Sequence, residues 1–236
     1  MTKAYIAFLI LILLVLLLVS CSTNAKADIT PDVSKAKPLS PDEIIVRSLT
    51  SMDDIRSFNF KLKHNNGSGT FIDGFLLTDA TGHVSASDDL HIETHMLFGN
   101  LFVKSGIIKS GTKSFVLNPL TNTWLESDAE SSPFGFFNPK SGLKNMLKNA
   151  TNLQLEYSTK PWYEIVGSIS AKSLADIVGS TTANNVTIIF HVNKDNFRIS
   201  KVEVMGKVTK DDKEDITRTI NLSGFNEKQE IHNPNP

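Results

Sequence analysis

Cysteine is almost absent: Cys21 is the only one in 236 residues. No disulfide can form within the chain, which excludes a scaffold stapled by disulfides. Tyrosine and tryptophan are scarce, three and two against 14 phenylalanines. Neither sign of charge prevails. The 24 basic and 25 acidic residues leave a net −1, so there is no electrostatic footprint for nucleic acid. One long apolar run exists, at the N-terminus, and no second one is long enough to cross a bilayer, which excludes a multi-span membrane protein. Catalytic signatures are missing too. There is no G-x-S-x-G elbow, no P-loop, and no G-x-G-x-x-G between a strand and a helix. Ser-x-x-Lys occurs at 34–37, 110–113 and 141–144, but 24 serines and 20 lysines produce about two such matches by chance. The acidic pairs Asp53-Asp54, Asp88-Asp89 and Asp211-Asp212 sit beside turns or helix ends, where solvated loops explain them.

What is there begins with the head. Residues 1–20 hold 17 apolar residues, all but Thr2, Lys3 and Ser20. Without them the apolar share falls from 40% to about 36%, modest for a globular domain. Lys3 precedes an uncharged run from Ala4 to Val19, and Ser20, a small residue, stands directly before Cys21. This reads as a secretory signal and resembles the lipobox of bacterial lipoproteins. The resemblance implies that Ser20 fits the signal peptidase, that the Cys21 thiol accepts a diacylglycerol, and that the freed amine is acylated, for instance by palmitate. The alternative is an uncleaved membrane anchor, but about 16 residues are short for a span. Two or three acyl chains, at about 0.8 kcal/mol per buried methylene, would anchor the chain stably. The expected location is extracytoplasmic, lipid-anchored to the outer face of the bacterial cell membrane. Loss of Lys3 leaves 23 basic residues against 25 acidic ones, a net −2. Residues 21–39 read as the lipidated cysteine and a flexible tether, 40–225 as a single domain, and 226–236 as a frayed tail.

The domain reads as strands with few helices. Ser40-Pro41-Asp42-Glu43 is a capping box with proline at the first helical position. Ile45, Leu49 and Met52 then recur on one face, which predicts a helix over about 41–54. Phe58, Phe60 and Leu62 alternate with Asn59, Lys61 and Lys63 on a strand, and Asn65 to Gly69 is a turn. A strand over 70–78 would put Phe71, Phe75 and Leu77 on one side. Further strands are expected at 83–87, 90–97, 101–104, 113–117, 153–158, 162–169, 186–192, 199–207 and 216–222. Helices are expected at 139–149, with Leu143, Met146 and Leu147 on one face, and at 171–178, capped by Ser170 and stopped by Gly179. Strands linked by short turns argue for an antiparallel sheet with the helices on one face, an α+β fold.

Chemistry-bearing clusters are few. His91, Glu93 and His95 share one strand face and could gather a metal for a hydrolase, although a solvated polar face explains them as well. No other cofactor is suggested. Phenylalanine, which needs no hydrogen-bond partner when buried, suits a dry cavity wall. Phe134, Phe136 and Phe137 fall in the irregular stretch 127–138, either plugging an open edge of the sheet or forming a hydrophobic lid.

The order of these features carries a resemblance. The lipobox, the tether and the first helix are followed by strands, by Asn118-Pro119-Leu120-Thr121-Asn122-Thr123-Trp124, by the Phe-rich segment, by the helix Pro139-Lys140-Ser141-Gly142-Leu143-Lys144-Asn145-Met146-Leu147, and by Gly167-Ser168-Ile169-Ser170. Over about residues 40–225 this resembles the LppX/LprG group of bacterial lipoproteins, whose fold is similar to LolA and LolB. The resemblance implies a strongly curved antiparallel sheet, a half-barrel, with a few helices on its concave face. It implies an apolar cavity between them that binds acyl chains of lipids or lipoglycans and carries them within the cell envelope. No catalytic residue comes with it. Local apolar faces nominate Ile45, Leu49, Met52, Phe58, Phe60, Phe71, Phe75, Phe134, Phe136, Phe137, Leu143, Met146 and Leu147 as cavity candidates. The expected partners are the lipid ligand, the membrane through acylated Cys21, and a possible membrane transporter. The alternative function is a non-carrier scaffold or transporter accessory of the envelope.

Overall fold

Ser40 starts the first helix as its chemistry requires. Its hydroxyl accepts a hydrogen bond from the Glu43 amide at 3.2 Å, and the Glu43 carboxylate accepts from the Ser40 amide at 2.8 Å. Helix α1 (Pro41–Asp53) buries Ile44, Ile45, Ser48 and Met52, and the buried Ser48 hydroxyl is satisfied by donating to the Ile44 carbonyl at 2.9 Å. The computed structural model describes residues 38–67, 69, 71–72, 74–128, 135, 137–157, 159–228 and 230–234, and residues 39–236 form one compact unit.

Among the described residues twelve strands follow: β1 (Phe58–Asn65), β2 (Phe71–Ile72), β3 (Phe75–Val84), β4 (Leu90–Phe98), β5 (Leu101–Ser110), β6 (Lys113–Leu117), β7 (Trp124–Asp128), β8 (Thr151–Glu156), β9 (Trp162–Ser170), β10 (Asn185–Asn193), β11 (Ile199–Met205) and β12 (Thr217–Ser223). Helix α2 (Pro139–Asn149) lies between β7 and β8 in the chain. A 3₁₀ turn (Ala171–Leu174) and α3 (Ala175–Val178) follow β9. The strands make one sheet in the order β7-β6-β5-β4-β3-β1-β12-β11-β10-β9-β8, with β2 added to β3, and every pairing is antiparallel. First and last strands meet at the centre, with Phe60 opposite Leu222. The edge strands β7 and β8 do not pair, so the sheet is open.

The sheet must curl. Helix α2 is about 16 Å long. It packs on β9, yet it also faces Leu90 of β4 and Lys109 of β5 across one cavity. Those strands are six and seven places from β9. A flat sheet would separate them by about 30 Å. Only a sheet wrapped around the helix reaches it from both sides. The enclosed face carries the core: Phe58, Phe60 and Leu62 of β1, Ile92 and Met96 of β4, Ile188, Phe190 and Val192 of β10, and Leu143, Met146 and Leu147 of α2. The α+β half-barrel with helices on its inner face is therefore what the chain builds.

Several expectations are corrected. The stretch 70–78 is not one strand. Gly74, at φ 82°, turns the chain so that Phe71 pairs with Leu76 and Ile72 with Phe75. Strand β3 then runs unbroken through 75–84, where separate strands ending at 78 and starting at 83 were expected. Strand β5 is more than twice the expected length, and β7 was not anticipated. Ser170 makes no side-chain cap, and the helix it was to start is a 3₁₀ turn before α3. The tail is tied where it begins. The Arg56 amide donates to Asn226 Oδ1 at 2.7 Å, and the Ser57 hydroxyl donates to the Glu227 carbonyl at 2.6 Å.

Candidate functional site

Helix α2 is the element that makes the site. Asn138 caps it, accepting from the Ser141 amide at 3.0 Å, and Pro139 occupies its first position. One face, Leu143, Met146 and Leu147, is about 1% exposed and lies against the sheet. Gly142 brings α2 close to α3. A Cβ at 142 would stand 2.4 Å from Ile177 Cδ1 and 2.6 Å from its Cγ1.

A narrow apolar slot remains between α2 and the centre of the sheet. Its walls include Phe60, Phe137, Leu143, Ile177, Ile220 and Leu222, and its volume is about 20 Å³. Phe137 covers it, with its ring centroid 5.8 Å from that of Phe60. The slot is smaller than an acyl chain, because the rest of the half-barrel is filled by its own side chains. The expected apolar cavity is thus narrowed to this slot in this structure. Beside the slot lies a wider cavity of about 360 Å³, which shares Phe137 and Pro139 with it. Four lysines line that cavity: Lys109 of β5 and Lys140, Lys144 and Lys148 of α2. Lys140 reaches Asp88 at 3.1 Å, and Lys144 reaches Asp53 at 2.6 Å.

The nominated residues divide accordingly. Phe58, Phe60, Phe137 and Leu143 line the slot. Ile45, Met52, Met146 and Leu147 are buried in the surrounding core, and Leu49 and Phe75 flank it partly buried. Phe134, Phe136 and Cys21, with the head and tether, lie outside the described residues, as does the side chain of Phe71. Leu62, Ile177, Ile220 and Leu222 line the slot without having been nominated. Leu62, Ile220 and Leu222 carried the signal of period-two alternation.

The histidine face does not assemble a metal site. Positions 91 and 95 on one strand are about 13 Å apart, too far to share an ion. His95 Nδ1 instead meets Asp79 Oδ1 at 2.7 Å, and the His91 ring sits edge-on to His83 at 5.2 Å. Among the described residues no group of three or more His, Cys, Asp or Glu side chains is placed to hold a metal.

Beyond the slot along the central strands β1 and β12, buried polar groups share the enclosed face. Arg218 of β12 is 2% exposed, donates from Nη2 to Asp212 Oδ1 at 2.5 Å, and stands opposite His64 in the β1–β12 register. Asp212 also accepts from the amides of Val208 and Thr209. Burial pushes its carboxyl up, but these bonds outweigh burial and hold it below its ordinary value. Burial, and next the Arg218 charge, push His64 down to about 4.

With this geometry in view, similarity to known proteins decides the family. A sequence profile of the LppX_LprAFG lipoprotein family matches residues 40–231. The chain belongs to that family. LprF from Mycobacterium bovis aligns with a TM-score of 0.62 at 13% identity, over 82% of this chain and 96% of that one. Lipoprotein LppX from Mycobacterium tuberculosis aligns with a TM-score of 0.56 at 17% identity, over 81% and 98%. At such identities the likeness is one of fold, and the LppX_LprAFG fold is the open sheet around helices described above. No curated protein matches the chain by sequence.

Proposed function

We propose that this LppX_LprAFG protein is a membrane-anchored lipoprotein, acylated at Cys21 after removal of residues 1–20. It binds lipid acyl chains between α2 and the sheet, and carries them within the cell envelope. The observation that carries the reading is the slot under Phe137, whose lining is wholly apolar and joins a polar cavity at one end. A dry apolar site suits a methylene chain, which gains about 0.8 kcal/mol per methylene on leaving water. A chain of about 15 methylenes thus has up to about 12 kcal/mol with which to part α2 from the sheet.

Residues 39–236 form one compact unit, so a chain starting at residue 22 contains the whole site. Native mass spectrometry of that chain is expected to find co-purified lipid, or uptake of a fluorescent fatty acid. A lipid-free protein that takes up no probe overturns the reading.

One observation favours a second reading. The slot measures only about 20 Å³, as in a solid core. A non-carrier scaffold, or an accessory to a membrane transporter, would have such an interior. Leu143→Trp separates the two. In a carrier it blocks probe uptake, and because α2 can part from the sheet it costs less stability than in a fixed core. In a permanently packed core it costs about 1–3 kcal/mol in urea unfolding.

A further inference from the structure

We propose that the lysine-lined cavity receives the phosphate of an anionic lipid whose acyl chains enter the adjoining slot. The inference rests on the acyl-chain reading above and adds to it the class of head group. Lys140, Lys144 and Lys148 recur at every fourth position of α2, so they form one stripe along the helix. Like charges at that spacing repel one another and destabilise an isolated helix. The helix has no acidic residue in its first turn to offset them. Lys109 approaches the same space from β5. Four cations thus converge in a chain whose net charge is −1.

The described acidic groups do not cancel them. Asp88 is the one carboxylate in the lining, and Asp53 binds Lys144 from outside it. The hydrogen bond and charge of Lys144, and more weakly the charge of Lys148, hold Asp53 below its ordinary value. The remaining polar atoms of the wall are committed elsewhere. The Ser141 hydroxyl and the Asn145 amide both donate to Asp176, at 2.7 and 2.9 Å. Lys140 and Lys144 are held by Asp88 and Asp53, which leaves the Lys109 and Lys148 ammoniums to meet a ligand first, with the two paired lysines beside them. A cavity of about 360 Å³ has room for a phosphoglycerol head. Because Phe137 and Pro139 wall both spaces, a phosphate among the lysines lies where its acyl chains would turn into the slot.

The experiment uses the chain from residue 22 and monomeric dioctanoyl lipids, with no bilayer present. Dioctanoyl phosphatidylglycerol is compared with dioctanoylglycerol, and with glycerol phosphate as the free anion. The expected result is that phosphatidylglycerol binds about tenfold or more tightly than dioctanoylglycerol at low salt, and that high salt erases the preference. The joint variant Lys109→Gln, Lys140→Gln, Lys144→Gln and Lys148→Gln should lose the preference while still binding dioctanoylglycerol. Lys61→Gln with Lys63→Gln, on the opposite face of β1, should keep it. Equal binding of the two lipids by the native chain, or a preference that survives in the joint variant, overturns the head-group assignment and leaves the carrier reading standing. Glycerol phosphate binding as tightly as the lipid overturns it in favour of a soluble anion. Failure to bind any lipid overturns both readings.

Discussion

His64 is the residue whose chemistry departs furthest from its ordinary behaviour. Its Nδ1 lies 3.2 Å from the Thr78 carbonyl and so carries the ring proton, while Nε2 is buried without a partner among the described residues. Burial lowers its pKa most and the Arg218 charge next, while the bond to the Thr78 carbonyl, Asp212 and Asp79 raise it more weakly. The folded value of about 4 lies below the unfolded value near 6.5. Between these pH values the unfolded chain binds the extra proton, so stability is full above about 6.5 and falls as pH drops towards 4. The loss attributable to His64 reaches up to about 3 kcal/mol. His83 and His191 are also lowered by burial and add to the same slope. His64→Gln isolates one contribution: in urea unfolding at pH 7, 5.5 and 4, the native chain should lose more stability than the variant. Parallel curves would show that His64 titrates normally. The cluster was invisible in the sequence, because His64 and Arg218 meet only through a strand pairing that joins the two ends of the domain.

At the scale of elements, legibility followed local chemistry. Helix α1 was readable to within a residue, because the Ser40 cap and the apolar face are both local. Strand β3 was misread because its middle, Thr78 to Gly82, looks like a turn. In the sheet Gly82 is needed as glycine, since a Cβ there would stand 2.7 Å from the Phe60 ring lying over it. Strand β7 escaped notice because an edge strand pairs on one side and buries little; Leu125 is 55% exposed. Half of the slot was legible for the same reason: α2 and β1 announce their apolar faces, but nothing local brings Ile177 to Gly142. That contact is testable. In Gly142→Ala, overpacking against Ile177 of about 1–3 kcal/mol competes with a helix-propensity gain of about 1 kcal/mol. The variant should be neutral to destabilised by about 2 kcal/mol. In an Ile177→Ala background the clash is gone, and the same change should stabilise by up to about 1 kcal/mol. Identical effects in both backgrounds would mean that α2 and α3 do not pack as described.

For the molecule as a whole, an apolar share of about 36% outside residues 1–20 suits a container with little solid core. The structure sharpens that expectation. The half-barrel is present, but α2 is seated in it and leaves a slot of about 20 Å³. On the proposed acyl-chain reading, lipid entry requires α2 to rise from the sheet, and the rim contact between Lys140 and Asp88 spans the two parts that must separate. Residues 22–236 contain no cysteine, so Lys140→Cys with Asp88→Cys creates a unique thiol pair. A short bis-methanethiosulfonate crosslinker, which forms a disulfide with each thiol and releases methanesulfinate, should join them and pin the N-terminal end of α2 to the turn between β3 and β4. The unlinked variant should take up a neutral acyl probe, the linked form should not, and reduction should restore uptake. A control spectrum by circular dichroism should be unchanged throughout, because the link adds no strain to the seated helix. Uptake that persists in the linked form would show that the acyl chain enters without lifting this end of α2. The movable wall would then lie elsewhere, along the C-terminal turn of the helix or at the open edges β7 and β8.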